Sequence, residues 1–209
     1  NFTGTLNNFC FIPHGVGSDF FTNYQQKPFP KKNERSINCI YVSNIAPYKH
    51  QNNVIEAIRN LRLKGFDITL NLVGENQKYN ELINKCILPS DINWLSIIGH
   101  VDQKDLPEKI SNFDIFIFAS SCENMPNTLV EGMAIGMPIA CSNRGPMPEI
   151  LEDGGVYFDP ESPEEIFQSI QKIITDKALR DKILLKSNKL SQKYSWGKCS
   201  TQTFDNIRK

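Results

Sequence analysis

The sequence predicts an α/β fold: a Rossmann-like, doubly wound parallel sheet of about six strands, with helices on both faces and extra C-terminal helices. Two observations predict it. Apolar runs of strand length recur between Ile37 and Phe158, set apart by turns rich in glycine, proline, asparagine and serine. Between them lie segments whose apolar residues follow helical spacing, and strand–helix alternation of this kind requires parallel strands joined by crossovers. At 209 residues and 40% hydrophobic content the chain is long enough to bury such a core, as one domain or at most two.

The elements follow in order. Residues 1–36 read as irregular, with Phe9 to Ile12 a short strand, Pro13-His14-Gly15-Val16-Gly17 a turn, and Pro28 to Asn33 linker material. Ile37 to Ser43 is the first regular strand and Asn44 to Lys49 a loop. A helix then runs to Lys64, its Val54, Ile55, Ile58 and Leu61 at helical spacing. Ile68 to Val73 is the next strand, followed by Gly74 and a helix over Lys78 to Ile87. Trp94 to Ile98, closed by Gly99, precedes a helix over Asp105 to Phe113. The run Asp114 to Ala119 is too short for a membrane span and reads as a strand buried on both faces. Leu129 to Ile135 is a short helix, capped by Asn127 and stopped by Gly136 and Pro138. Pro138 to Ser142 and Gly155 to Phe158 supply the last two strands. Pro163-Glu164-Glu165 opens a helix, Lys177 to Tyr194 forms another or a pair, and Ser195 begins a final one, with Trp196 and Phe204 expected to pin it to the body.

Composition excludes several classes. Formal charge is zero at pH 7, so no electrostatic case exists for nucleic acid or an anionic membrane surface. The six cysteines show no Cys-x-x-Cys spacing, and several fall in apolar runs, as small core residues in a reducing compartment would. Without a legible signal peptide or spanning segment, a cytoplasmic protein is expected. His14, His50 and His100 lack metal-ligand spacing and no Asp-x-Asp triplet occurs, so no metal is expected. Asn44 to Gln51 contains no glycine, which argues against a nicotinamide or flavin site, and no phosphate-cradling Gly-x-x-x-x-Gly-Lys-Ser/Thr motif is present.

The chemistry concentrates in Cys122 to Glu131. The N–H groups around Thr128 and Leu129 open a helix at the C-terminal edge of the sheet, a place suited to phosphate. Glu123 on the loop and Glu131 a turn into the helix flank it. Ionised carboxylates only accept hydrogen bonds, so this layout suits a ligand with hydroxyls on both sides of a phosphate, as in a sugar nucleotide. With strand order 3-2-1-4-5-6, the loop bearing Lys49 faces this stretch at the switch point, where its ammonium can hold the same diphosphate. Arg144, in the loop after the fifth strand, lies on the same edge and either reaches the ligand or stays in solvent.

These residues carry a resemblance. Glu123 and Glu131 with seven residues between them, Ile12-Pro13-His14-Gly15-Val16 upstream, Lys49 after the first regular strand and Gly132-Met133-Ala134-Ile135-Gly136-Met137-Pro138 downstream resemble the C-terminal, donor-binding half of glycosyltransferase family 4, retaining enzymes of the GT-B fold. The resemblance implies that Glu123 and Lys49 serve catalysis, that Glu123 meets hydroxyls of the donor sugar with the amides of Asn124 and Met125, and that Glu131 binds the ribose. It places Thr128, Leu129 and Lys49 around the diphosphate and Val101 near the base. The sequence departs from the family at Asn44, where an arginine is common, and at Asn124 to Asn127, where glycines are.

The implied organisation is a connector over 1–36, a nucleotide-sugar-binding domain over 37–194, and a C-terminal helix over 195–209 that packs back toward a missing N-terminal domain. A nucleoside-diphosphate sugar is the expected substrate, with no cofactor, and a glycan or lipid-linked acceptor would be reached through that missing half. Peripheral membrane association of the longer enzyme stays open. So do two alternatives, a sugar-nucleotide epimerase of the same architecture and a non-enzymatic nucleotide-binding module.

Overall fold

A computed structural model describes residues 10–21, 28–31, 33–75 and 79–208. Six parallel strands form one sheet: β1 (Ile37–Val42), β2 (Ile68–Val73), β3 (Leu95–Ile98), β4 (Ile115–Phe118), β5 (Ile139–Ser142) and β6 (Val156–Phe158), in the order β3-β2-β1-β4-β5-β6. This is the expected doubly wound order. β1 therefore pairs with β2 on one side and β4 on the other, with Cys39 opposite Ile115 and Ile40 opposite Phe116. The loops leaving β1 and β4 therefore lie side by side at the carboxyl edge of the sheet, the switch point at which this topology puts a ligand crevice.

Helices cover both faces. α1 (Gln51–Leu63) packs on α6 (Pro163–Thr175), while α4 (Asn127–Ile135) packs between α3 (Leu106–Ser111) and α7 (Lys177–Ser191). The smaller α2 (Asn80–Asn84) and α5 (Met147–Leu151) and the terminal α8 (Trp196–Ile207) complete the set among the described residues. β4 and β5 are buried at every position, as strands covered on both sides must be. The helix starts follow local chemistry: Ser162, Asp176 and Ser195 accept the amides of Glu165, Leu179 and Lys198 and so cap α6, α7 and α8. Gly136, in the left-handed conformation at φ 83°, ends α4.

Several expectations need correction. Cys10 to Ile12 form no strand, and Phe9 lies outside the described residues; the chain there joins the body further on, through Val16, whose amide donates to the Tyr194 carbonyl at 3.0 Å, and through the buried Phe20. Asn127 does not cap α4. It is the first helical residue, after Pro126, and no side chain caps that end. The helix expected over Lys78 to Ile87 is reduced to Asn80–Asn84, with Lys78 itself undescribed, and α5 appears where only a shaped loop was expected. Trp196 and Phe204 do not pin α8: they are 53% and 60% exposed, and no residue of that helix is buried. Of the cysteines, Cys39 and Cys141 are buried in strands, whereas Cys10 and Cys122 are exposed.

Candidate functional site

The crevice is built from two loops fixed by their own hydrogen bonds. After β1 the chain makes a 3-10 turn at Pro47–Lys49 and leaves it through His50 in the left-handed region at φ 51°. The Tyr41 hydroxyl donates to the Lys49 carbonyl at 2.8 Å, and the buried Gln51 amide donates to Ser43 Oγ and the Asn44 carbonyl, each at 2.9 Å. After β4, the Ser121 amide donates to the Tyr48 carbonyl at 2.9 Å, and His50 Nε2 lies 2.9 Å from Ser121 Oγ. Burial pushes the His50 imidazole below its usual range, so it is held neutral near pH 7. The two loops are thus sewn together at the switch point.

That stitching brings Lys49 and Glu123 into contact. Lys49 Nζ donates to Glu123 Oε1 in an ion pair whose side chains are only 12% and 15% exposed. The ammonium also lies 5.4 Å from the Tyr48 ring centre and 5.7 Å from that of Phe118.

Beyond Glu123 the backbone supplies donors. The Leu129 amide donates to the Pro126 carbonyl at 3.0 Å and the Leu129 side chain is fully buried, so this residue anchors the helix mouth and its amide is already engaged. Among the described residues, the amides of Asn124, Met125 and Thr128 donate to no other group of the protein. Asn124 is exposed, while Met125 and Thr128 are half-buried. Three unengaged backbone donors, in the stretch that follows Lys49's partner Glu123, are chemically suited to an anion without a glycine-rich loop.

Glu131 sits one turn further, 5% exposed. Gln103 Nε2 donates to its Oε1 at 2.7 Å, and its Oε2 is buried without a partner among the described residues. Burial raises this carboxyl above its usual range and the Gln103 amide pulls it part of the way back. The other buried acids are treated differently: Asp91 and Asp114 each hold an arginine, Arg59 and Arg35, at 2.6 Å. An acid buried without a cation and with one oxygen bare is costly to the fold, and a hydroxyl-bearing ligand would relieve that cost.

Gln103 escaped the sequence reading. It lies on the loop after β3 and meets Glu131 only through the tertiary fold; no local spacing signals the pair. Val101, on the same loop, is half-buried against the core. Arg144 stands at the edge of the crevice, where it donates to Asp159 at 2.7 Å and lies 3.7 Å from Glu161. Beside the crevice a hollow of about 270 Å³ is lined by Ile45, Gly74, Glu75, Ile83, Ile97 and Gly99. A larger one of about 410 Å³, with Phe29, Phe66 and Lys64 in its wall, lies at the opposite end of the strands, away from every residue above. Among the described residues no cluster of acids, histidines and cysteines could hold a metal, and no helix is long and apolar enough to cross a membrane.

Comparison with known proteins places the chain in a family. Residues 23–189 match the family model described as glycosyl transferases group 1. The O-antigen chain mannosyltransferase B of Escherichia coli is 29% identical over 112 residues, covering 54% of this chain and 29% of that protein. The glycogen synthase of Mycobacterium tuberculosis is 23% identical over 181 residues, 84% of this chain and 44% of its own length. The chain thus spans less than half the length of these curated relatives. Two solved structures share the fold. HepE of Anabaena, in complex with UDP and glucose, superposes with a TM-score of 0.74 at 19% identity, covering 84% of this chain and 49% of its own. The C-terminal domain of the group 1 glycosyl transferase LpcC of Francisella tularensis gives 0.67 at 22% identity, covering 85% of this chain and 97% of that domain.

Proposed function

We propose that this chain, which belongs to the glycosyl transferases group 1 family, is the donor-binding half of a retaining glycosyltransferase of family 4. It would take a nucleoside-diphosphate sugar and pass the sugar to a glycan or lipid-linked acceptor held by an N-terminal half. Lys49 and the amides of Thr128, Asn124 and Met125 grip the diphosphate and the near edge of the sugar. Glu123 accepts the sugar hydroxyls, Glu131 accepts those of the ribose, and the Val101 loop meets the base. Leu129 holds the helix mouth in place, and Arg144 joins the phosphates by exchanging its hold on Asp159. As the bond to the sugar breaks, negative charge grows on the leaving diphosphate, where an ammonium and preorganised amides stabilise it more than in the ground state. Without the acceptor-binding half, this chain by itself would bind donor weakly and transfer little.

The observation that carries this reading is Glu131: a buried acid with an oxygen unpartnered among the described residues, on the helix that begins four residues after Glu123. HepE, solved with UDP and glucose, supports UDP and UDP-glucose as first probes. The test is a thermal-shift panel of UDP, GDP, ADP and their sugars. A ligand at a hundred times its dissociation constant raises folded-state stability by about 2.7 kcal/mol. Failure of every member of the panel to raise the melting temperature would refute the reading.

A further inference from the structure

We propose that the Lys49–Glu123 ion pair makes this site discriminate an intact nucleotide sugar from the nucleoside diphosphate left after transfer. The inference rests on the donor-site reading above and adds a selectivity to it.

Three observations carry it. First, the pair is closed, and both side chains are largely removed from water, at 12% and 15% exposure. Second, the loops that carry the two residues are held in place, so each side chain stays within reach of whatever enters between them. The Lys49 backbone is tied to Tyr41 at 2.8 Å, its ammonium is bounded by the Tyr48 and Phe118 rings, and the loop bearing Glu123 is sewn to Tyr48 through Ser121. Third, the free amides of Asn124, Met125 and Thr128 follow Glu123 directly, so an anion drawn to them and to Lys49 must settle beside this carboxylate.

The two ligands differ in what they bring to that carboxylate. Glu123, once ionised, can only accept hydrogen bonds. A nucleoside diphosphate presents a terminal phosphate that carries extra negative charge at neutral pH and no hydroxyl at that end. It competes with Glu123 for the ammonium and leaves the carboxylate both unpartnered and repelled. A nucleotide sugar has the lower charge of a diester at the same phosphorus, and its sugar hydroxyls donate to the oxygens that Lys49 gives up. Glu123 therefore penalises the product and not the donor, which speeds release after transfer and limits product inhibition.

The test is calorimetric titration of UDP and UDP-glucose, GDP and GDP-mannose, and ADP and ADP-glucose into the chain and its Glu123→Gln variant. Glutamine keeps the size and the hydrogen-bonding edge while removing the charge. The expected result is nucleoside diphosphate bound about tenfold more tightly by the variant, with nucleotide sugar unchanged or weaker, so the preference for donor falls by at least that factor. Glu123→Ala should tighten nucleoside diphosphate in the same direction, so a folding defect in one variant leaves the test intact. If wild-type chain binds the donors but the variants lose both ligands in parallel, or leave nucleoside diphosphate unchanged, the discrimination is overturned while the donor site stands. If wild-type chain binds none of the six, the donor-site reading fails and this inference with it.

Discussion

Glu131 is the residue at which stability and the proposed ligand binding oppose each other. Its carboxyl is raised by burial, with only the Gln103 amide acting against that, so the folded chain holds a proton more tightly than the unfolded chain does. For an acid raised in this way the sign is fixed: folding is favoured while both states are protonated, and stability declines as pH rises from the unfolded value through the folded one. Glu131→Gln removes this component. The free variant should lose less stability between pH 4.5 and neutrality than the wild type, as pH-resolved calorimetry would read; parallel curves would mean that the carboxyl is not desolvated. The same variant should bind ribonucleotides more weakly, because a glutamine offers one acceptor oxygen where a carboxylate offers two. Much of this residue's place was legible beforehand, since the spacing Glu123 to Glu131 and the helix start between them are local facts. The absence of a countercharge was not, because it depends on which side chains the β3 loop and α3 bring to α4.

At the scale of elements, α4 places the candidate residues Thr128 and Glu131, and its seat on the sheet depends on Gly132. A Cβ added there would lie 2.9 Å from the Phe116 ring, closer than packed atoms tolerate. Gly132→Ala should push α4 off β4 and cost about 1–3 kcal/mol, as overpacking of a filled core does, measurable by urea denaturation. It should also weaken nucleotide binding, because Thr128 and Glu131 ride on the same helix. A variant as stable as the wild type would show that the contact relaxes freely. The sequence signalled this helix by its glycine stop, but misplaced its start. Asn127 looks like a cap by residue type; Pro126, at φ −79° and ψ 74°, instead precedes the first turn, and Asn127 enters the helix itself. Type preferences name candidates for a helix start, and the path of the preceding loop selects among them.

For the molecule as a whole, the sheet is closed by packing that leaves α8 outside. No residue of α8 is buried, and its links to the body include the Val16–Ser195 bridge at its start, a stack of Trp196 on His14 at 5.9 Å between ring centres, and a hydrogen bond from Lys198 to the Gln192 carbonyl. Deleting residues 196–209 should therefore change the stability of this chain by no more than about 1 kcal/mol. A loss of several kcal/mol on thermal or chemical unfolding would show that α8 belongs to the core. The exposed Trp196, Phe204 and Ile207 explain why the sequence misled: large apolar residues usually report burial in the chain at hand, and here they are left uncovered.

The sequence by itself determined the doubly wound sheet and singled out the stretch in which the candidate residues lie. Strand runs, helical periods and turn residues are local properties, and the rules of chain crossover leave few ways to assemble them. Only the tertiary structure decided the charge balance of the site: that Lys49 is held by Glu123, that Gln103 reaches Glu131, and that Arg144 is engaged by Asp159. Each of these joins residues from different segments of the chain along one edge of the sheet. The strength of such a contact is set by burial and by distances across the fold, which no spacing along the chain encodes.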